Sequence, residues 1–327
     1  PSGSPGVTGA IRGASRGTSR GTSRGTTRRA ARARRPMSAP AGGLTVVFAP
    51  DSFKGSLTSV EVASALAAGW SRARPMDRGG LAPLADGGEG TLAAMAAAGG
   101  WEWREADAHD PLGRPVRAPW LLAVDRSRAA VELASASGIS RVAARERDAA
   151  RATTLGTGEV LRAALDEGVR RIVLGLGGSA TTDGGAGLLR ALGASVSEDL
   201  AAVDLTGLDP RLAEIELRIA NDVSNPLLGP AGAAATYGPQ KGASPDQVGW
   251  LDARLARFAA ALEGATGRRE RDTPGAGAAG GTTFALLCLR DRFRSLELAP
   301  GIDLLMAEAG LARRLAAADI VVTGEGR

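Results

Sequence analysis

The chain holds 40 basic residues, yet only two are lysines, and both sit in glycine-bounded segments: Asp51-Ser-Phe-Lys54-Gly-Ser56 and Gly238-Pro-Gln-Lys241-Gly242. Arginine serves wherever a solvated cation suffices; lysine differs by offering a compact point charge and a titratable amine. Phosphate sites use such a point charge. Asp51 shares a loop with Lys54, and together with Lys241 these residues supply what phosphoryl transfer asks for. Cations meet developing oxyanions, and a carboxylate orients or deprotonates a hydroxyl. The bland alternative is an arginine bias of GC-rich coding sequence in which two lysines survived by chance.

A second candidate is Gly175-Leu-Gly-Gly-Ser-Ala-Thr-Thr-Asp-Gly-Gly-Ala-Gly187, with six glycines in 13 residues. Missing side chains let backbone amides approach an anion, and a following helix adds a favourable dipole. Gly177, Gly178, Gly184 and Gly185 are therefore expected at the nucleotide phosphates, with hydroxyls from Ser179, Thr181 and Thr182. Asp183 can face a phosphate only across a cation, which makes it the candidate Mg²⁺ ligand. No Gly-Lys-Ser/Thr follows, so this is not a Walker loop. Gly175-x-Gly-x-x-Ala180 loosely matches a dinucleotide fingerprint, with Glu198 at a tolerable distance for a ribose contact. That match keeps an NAD(P)-dependent oxidoreductase as the alternative. Two acidic loops accompany it, Asp86-Gly-Gly-Glu-Gly90 and Asn221-Asp222-Val-Ser-Asn225; either could be only a capping or turn device.

These loops need strands behind them. From Leu44 onward a short apolar run, a polar glycine-bearing loop and an alanine-rich helix keep recurring, which is the α/β signature with parallel strands. Strands are expected at 44–48, 171–174, 217–220 and 319–323. Thr58 with Glu61, and Ser244 with Gln247 and Pro245, read as capping boxes opening helices. Val248, Leu251, Leu255, Phe258 and Leu262 form the buried stripe of the second. Helices are also expected at 159–166 and 188–192, and 264–281 reads as a mobile loop or linker. Ligands bind beyond the carboxyl ends of such strands, where the polar loops lie.

At 327 residues, two domains are the default. The formal charge of +5 comes from the first 36 residues, with nine arginines and no acid; the rest has 31 bases against 35 acids. A nucleic-acid partner is therefore not expected of the folded part, and no apolar run is long enough to span a membrane. The Arg/Gly/Ser/Thr-rich stretch 1–43 is expected to be disordered, and its glycines argue against a transit peptide. Met37 is the expected start, with upstream translated sequence before it. The single cysteine, Cys288, flanked by leucines, reads as a core residue and suits a reducing, cytoplasmic setting. One histidine, His109 in an Ala-His-Asp-Pro turn, excludes a His/Cys zinc site and leaves little for a Ser-His-Asp triad.

Taken in order, the segments 49–56, 83–91, 152–159, 175–187, 221–223, 238–243 and 274–281 resemble the motifs of bacterial type I glycerate kinases, over essentially Leu44 to Arg327. The resemblance implies ATP-dependent phosphorylation of D-glycerate, 2-phosphoglycerate being the favoured product, with Mg²⁺. It also implies two α/β domains, a Rossmann-like doubly wound parallel sheet (44–86 plus 282–327) and a second α/β domain (87–281) inserted in it. From charge and loop placement, Asp51, Lys54, Asp183, Asp222 and Lys241 are the catalytic candidates. Ser52, Asp86, Glu89, Asn221, Glu325 and Arg327 are the candidate substrate contacts. Oligomeric state is open between monomer and homodimer. Family members continue past Thr323-Gly-Glu-Gly-Arg327, so the chain is expected to be a fragment of low stability, and a non-catalytic product of a truncated frame is a further alternative.

Overall fold

The structure, a computed structural model, describes residues 43–53 and 56–326. The expected disorder of the tail up to residue 42, and the roles given to Lys54 and Arg327, lie outside the described residues. Strands run in chain order as β1 (Thr45–Phe48), β2 (Arg78–Leu81), β3 (Trp101–His109), β4 (Pro115–Ala123), β5 (Arg128–Glu132), β6 (Arg171–Gly175), β7 (Ser195–Val196), β8 (Val203–Asp204), β9 (Glu216–Ala220), β10 (Ser295–Ala299) and β11 (Ile320–Val322). A parallel three-stranded sheet has the order β11-β1-β2. A six-stranded sheet has the order β10-β9-β6-β5-β4-β3, parallel from β10 to β5 and antiparallel across β4 and β3. The chain is thus a mixed α/β protein with parallel sheets and helices.

Both faces of the six-stranded sheet are covered. On one face the helices 155–166, 186–191, 245–266 and 278–288 enclose the main core, which includes Trp120, Leu174, Leu189 and an edge-to-face pair of Phe258 and Phe284. On the other, Leu92, Met95 and Leu305 from helices 91–98 and 301–308 pack on Leu121 and Ala130. Two-sided burial suits the near-continuous apolar run of β6, whereas β9 places Arg218 among its apolar residues, paired with Glu297 and Glu308. The small sheet is likewise sandwiched, Phe48 meeting Trp70 of helix 59–73 on one side and Val47 meeting Leu311 on the other.

Both capping boxes form as read: Thr58 with Glu61, and Ser244 with Gln247 under Pro245. Other expectations need correction. The helix expected at 159–166 begins at Leu155, because Gly156 and Gly158 are not breakers here. A Cβ at Gly156 would lie 1.9 Å from the His109 carbonyl, and one at Gly158 would lie 2.6 Å from that of Leu188. Tertiary contact overrides the propensity penalty. His109 ends a nine-residue strand, and the turn that follows is held by Asp110 Oδ1, which accepts from the amides of Leu112 and Arg114. This β3–β4 hairpin departs from the expected strand–helix alternation. The stretch 264–281 is no linker: Glu263 accepts from the amides of Glu270 and Arg271, Ala276 is fully buried, and helix 278–288 lies in the core. Nor does the chain return to the small sheet at residue 282. It first adds β10 to β9, and rejoins β1 only at β11.

Candidate functional site

The carboxyl ends of β6 and β9 open on a cleft of about 520 Å³, walled by Gly177–Ser179, Asn221–Val223, Asp86–Glu89, Tyr237, Gln240–Lys241 and Ala278–Ala279. Its floor is a contact of two loops, backbone to backbone. Gly177 donates its amide to the Gly87 carbonyl, and a Cβ on Gly177 would come within 2.4 Å of Gly88 Cα. The glycines at 87, 88 and 177 thus let the Asp86 loop lie directly on the loop after β6. Pro300–Gly301 closes the same corner: Gly301 donates to Asp222 Oδ1 at 3.0 Å, and a Cβ there would meet the Asp86 carbonyl at 1.8 Å.

Lys241 is 2% exposed, and its Nζ donates to Ser179 Oγ at 2.7 Å and to the Thr181 carbonyl at 2.6 Å. Burial pushes the amine down to about 7, with the nearby Asp183 charge opposing. Asp86 Oδ1 accepts from the Gly88 amide, fixing the start of its loop. Behind Glu89, the buried Glu132 at the end of β5 accepts from the Leu92 amide at 2.6 Å, in the first turn of helix 91–98. Burial pushes Glu132 up to about 7, although helix-start amides favour its charge, and Glu89 adds to the rise.

Of the expected site residues, the structure brings Asp86, Glu89, Gly177, Gly178, Ser179, Asn221, Asp222 and Lys241 to one cleft. Thr181, Thr182, Gly184 and Gly185 are not part of its lining. A Cβ on Gly184 would strike the Phe258 ring, and one on Gly185 would strike Ala285, so these two glycines serve core packing. Asp183 is likewise absent from the lining and engaged by the loop itself. Its Oδ2 accepts from Thr154 N, Thr154 Oγ1 and Gly187 N, and its Oδ1 from Gly185 N, at 2.9–3.1 Å. A carboxylate holding these donors anchors the loop to the start of helix 155–166. Asp51, Ser52 and Glu325 gather instead at the carboxyl end of the small sheet, where Asp51 donates its amide to the Gly324 carbonyl. The segment from Ala82 leads from there to Asp86, Leu84 donating to the Pro50 carbonyl. Glu198 lies in the turn between β7 and β8, which form a separate two-stranded sheet, so the ribose contact of a dinucleotide fold is not built.

Sequence reading missed Tyr237, Gln240 and Glu132. Tyr237 is the chain's only tyrosine, four residues before Lys241, and its ring lies 6.0 Å from Nζ. That spacing was a usable signal; for Glu132, one glutamate among many, there was none.

An α/β protein with a glycine-floored, lysine-bearing cleft at its strand ends is the class defined so far. The family model described as "Glycerate kinase family" matches residues 46–327. The chain is 41% identical to glycerate kinase of Bacillus subtilis (strain 168) and 41% identical to glycerate 2-kinase of Escherichia coli (strain K12); each alignment covers 87% of this chain and 77% of the relative. A crystal structure from Salmonella typhimurium LT2 assigned to glycerate kinase 2 is 41% identical and superimposes with a TM-score of 0.80, covering 88% of this chain and 79% of that one. The chain belongs to the glycerate kinase family. Among the described residues no helix is long and apolar enough to cross a membrane.

Proposed function

We propose that this protein is a type I glycerate kinase that transfers the terminal phosphoryl group of ATP to D-glycerate, with 2-phosphoglycerate as product. One observation supports this most: in a member of this family, the loop after β6, a buried lysine and three carboxylates line a single cleft. Phosphoryl transfer needs positioning and electrostatic stabilisation more than covalent chemistry from the protein. Gly177–Ser179 and Lys241 offer amide, hydroxyl and ammonium donors for anionic oxygens, and Asn221 offers an amide for a substrate hydroxyl or carboxylate. Asp222, pinned by Gly301, is the carboxylate best held to orient the attacking hydroxyl.

Mg²⁺ takes one or two carboxylates plus phosphate oxygens and water in phosphoryl-transfer sites. Among the described residues no three such side chains gather as a metal site, but one or two of Asp86, Glu89 and Asp222, which line the cleft, would supply the hard oxygens; Asp183 is engaged by backbone amides instead. When bound, the ion would neutralise charge on the transferring phosphate. A Rossmann-like first domain around β1, β2 and β11, with the six-stranded sheet and its helices inserted between Asp86 and Pro300, is part of the same proposal. So is a cytoplasmic location.

The test is a coupled kinase assay with D-glycerate, followed by identification of the phosphate position. Turnover with D-glycerate, magnesium dependence and phosphate on the 2-oxygen are expected. Absence of turnover in cooperatively folded protein would refute the reading, and phosphate on the 3-oxygen would refute its regiochemical part.

A further inference from the structure

Lys241 is a buried amine that forms no ion pair among the described residues. Its two polar partners, the Ser179 hydroxyl and the Thr181 carbonyl, are neutral. The charged groups around it are otherwise engaged or stand across the cleft. Asp183 is enclosed by the amides of Thr154, Gly185 and Gly187. Behind the amine lies a small void lined by Arg147 and Asp148; Asp148 accepts from the Ala150 and Arg151 amides, and Arg147 donates to the Gln240 carbonyl. Asp86, Glu89 and Asp222 line the open side, and the Tyr237 ring flanks Nζ.

Both partners take an N–H from the amine, the Ser179 oxygen at 2.7 Å and the Thr181 carbonyl at 2.6 Å. An ammonium has three donors, which leaves one N–H for the cleft that Lys241 lines. An anion entering there supplies both the missing acceptor and the missing charge.

We propose that Ser179 and Lys241 form a proton-linked anion subsite, at which a carboxylate or phosphate oxygen and a proton on the lysine amine bind together. The identification of the anion rests on the glycerate kinase reading, since it would come from either glycerate or the nucleotide. The coupling itself rests only on the buried amine and its neutral partners. Burial pushes the amine down to about 7. Above that value anion binding takes up a proton, and well below it takes up little. Affinity accordingly weakens as pH rises through the free-state value, because the anion must bring its proton from an increasingly proton-poor solution.

The chain's two lysines make the test direct. Protein labelled with ¹³Cε-lysine gives two lysine signals, assigned by Lys241→Met, and each is titrated with pH alone and then with saturating ADP, inorganic phosphate or D-glycerate. One signal is expected to titrate near 7 and to move at least a hundredfold in proton affinity with whichever ligand fills the subsite. Movement with phosphate and ADP assigns the subsite to nucleotide phosphate; movement with D-glycerate alone assigns it to the substrate carboxylate. If Lys241→Met does not fold, Ser179→Ala supplies the assignment by shifting the same signal. Two lysines titrating near about 10.4 in the free protein, or a midpoint that no anion moves, overturns the proposal. Normal glycerate turnover beside an unmoved signal would sink this subsite and leave the kinase reading intact; a moved signal without glycerate turnover would do the reverse.

Discussion

Asp183→Ala separates the two roles this residue could have, metal ligand or loop anchor. In the structure the carboxylate accepts three backbone amides and two hydroxyls, tying Thr153 and Thr154 at the start of one helix to Gly185 and Gly187 at the start of another. Removing it strands three buried N–H groups, each costing about 1–3 kcal/mol when unsatisfied. With partial relaxation, a total near 4 kcal/mol is a reasonable magnitude, and at roughly 2–4 °C per kcal/mol the unfolding midpoint should drop by about 8–16 °C. Asp183→Asn keeps the volume and one acceptor oxygen, so about half that loss is expected. The assay is thermal unfolding of wild type and both variants, with the Mg²⁺ concentration for half-maximal activity measured in parallel. A lowered midpoint with unchanged magnesium half-saturation is the expected pair. An unshifted midpoint together with a large rise in magnesium requirement would refute the reasoning and return Asp183 to the metal.

Further expectations follow from other parts of the fold. Gly177→Ala forces a methyl into Gly88, so the two cleft loops must part; kcat/KM should fall about a hundredfold, as for a misplacement near 1 Å, while the unfolding midpoint moves by only a few degrees. The control is Gly249→Ala in helix 245–266, where an added Cβ meets nothing within 4 Å; it should stabilise by about 0.5–1 kcal/mol without touching turnover. Glu132 has a folded-state value near 7, above its unfolded value of about 4.3. The native state therefore binds the extra proton, and the stability this group contributes is complete below the unfolded value and lost as pH rises through 7. Denaturant melts at pH 5 and 8 should show Glu132→Gln flatter than wild type and more stable at pH 8; a less stable Gln variant there would contradict it. Burial pushes the Cys288 thiol up to about 12. A disulfide reagent at pH 8 should leave it untouched in native protein and label it at the rate of global unfolding; rapid labelling would contradict its placement in the core.

Local signals were the legible ones. Thr58 with Glu61 and Ser244 with Gln247 declare their helices because both partners are close in sequence and the physics is self-contained. Strands β1 and β6 were readable because their runs are apolar, and β9 because Leu217 and Ile219 alternate with charge. What stayed hidden depends on the third dimension. Gly156 and Gly158 look like breakers until His109 and Leu188 are seen against them. The residues 264–281 look like a linker until Glu263 is seen gathering its amides. The same holds within the site. The glycine-rich stretch 175–187 reads as one phosphate loop, but its first half faces the cleft while Asp183, Gly184 and Gly185 serve the core. Composition does not distinguish a glycine kept for a ligand from one kept for Phe258. Lys241 was found because the chain spends lysine so rarely; Glu132 has no such mark.

The central claim is that the cleft between the loops after β6 and β9 holds the reacting phosphate, with Lys241 and Ser179 on its wall. A crystal structure of the protein with a non-hydrolysable ATP analogue and D-glycerate tests it most directly. Anionic oxygens are expected within hydrogen-bonding distance of Lys241 Nζ and Ser179 Oγ, and any metal on Asp86, Glu89 or Asp222. Both ligands seated away from Gly177–Ser179 and Lys241 would contradict it.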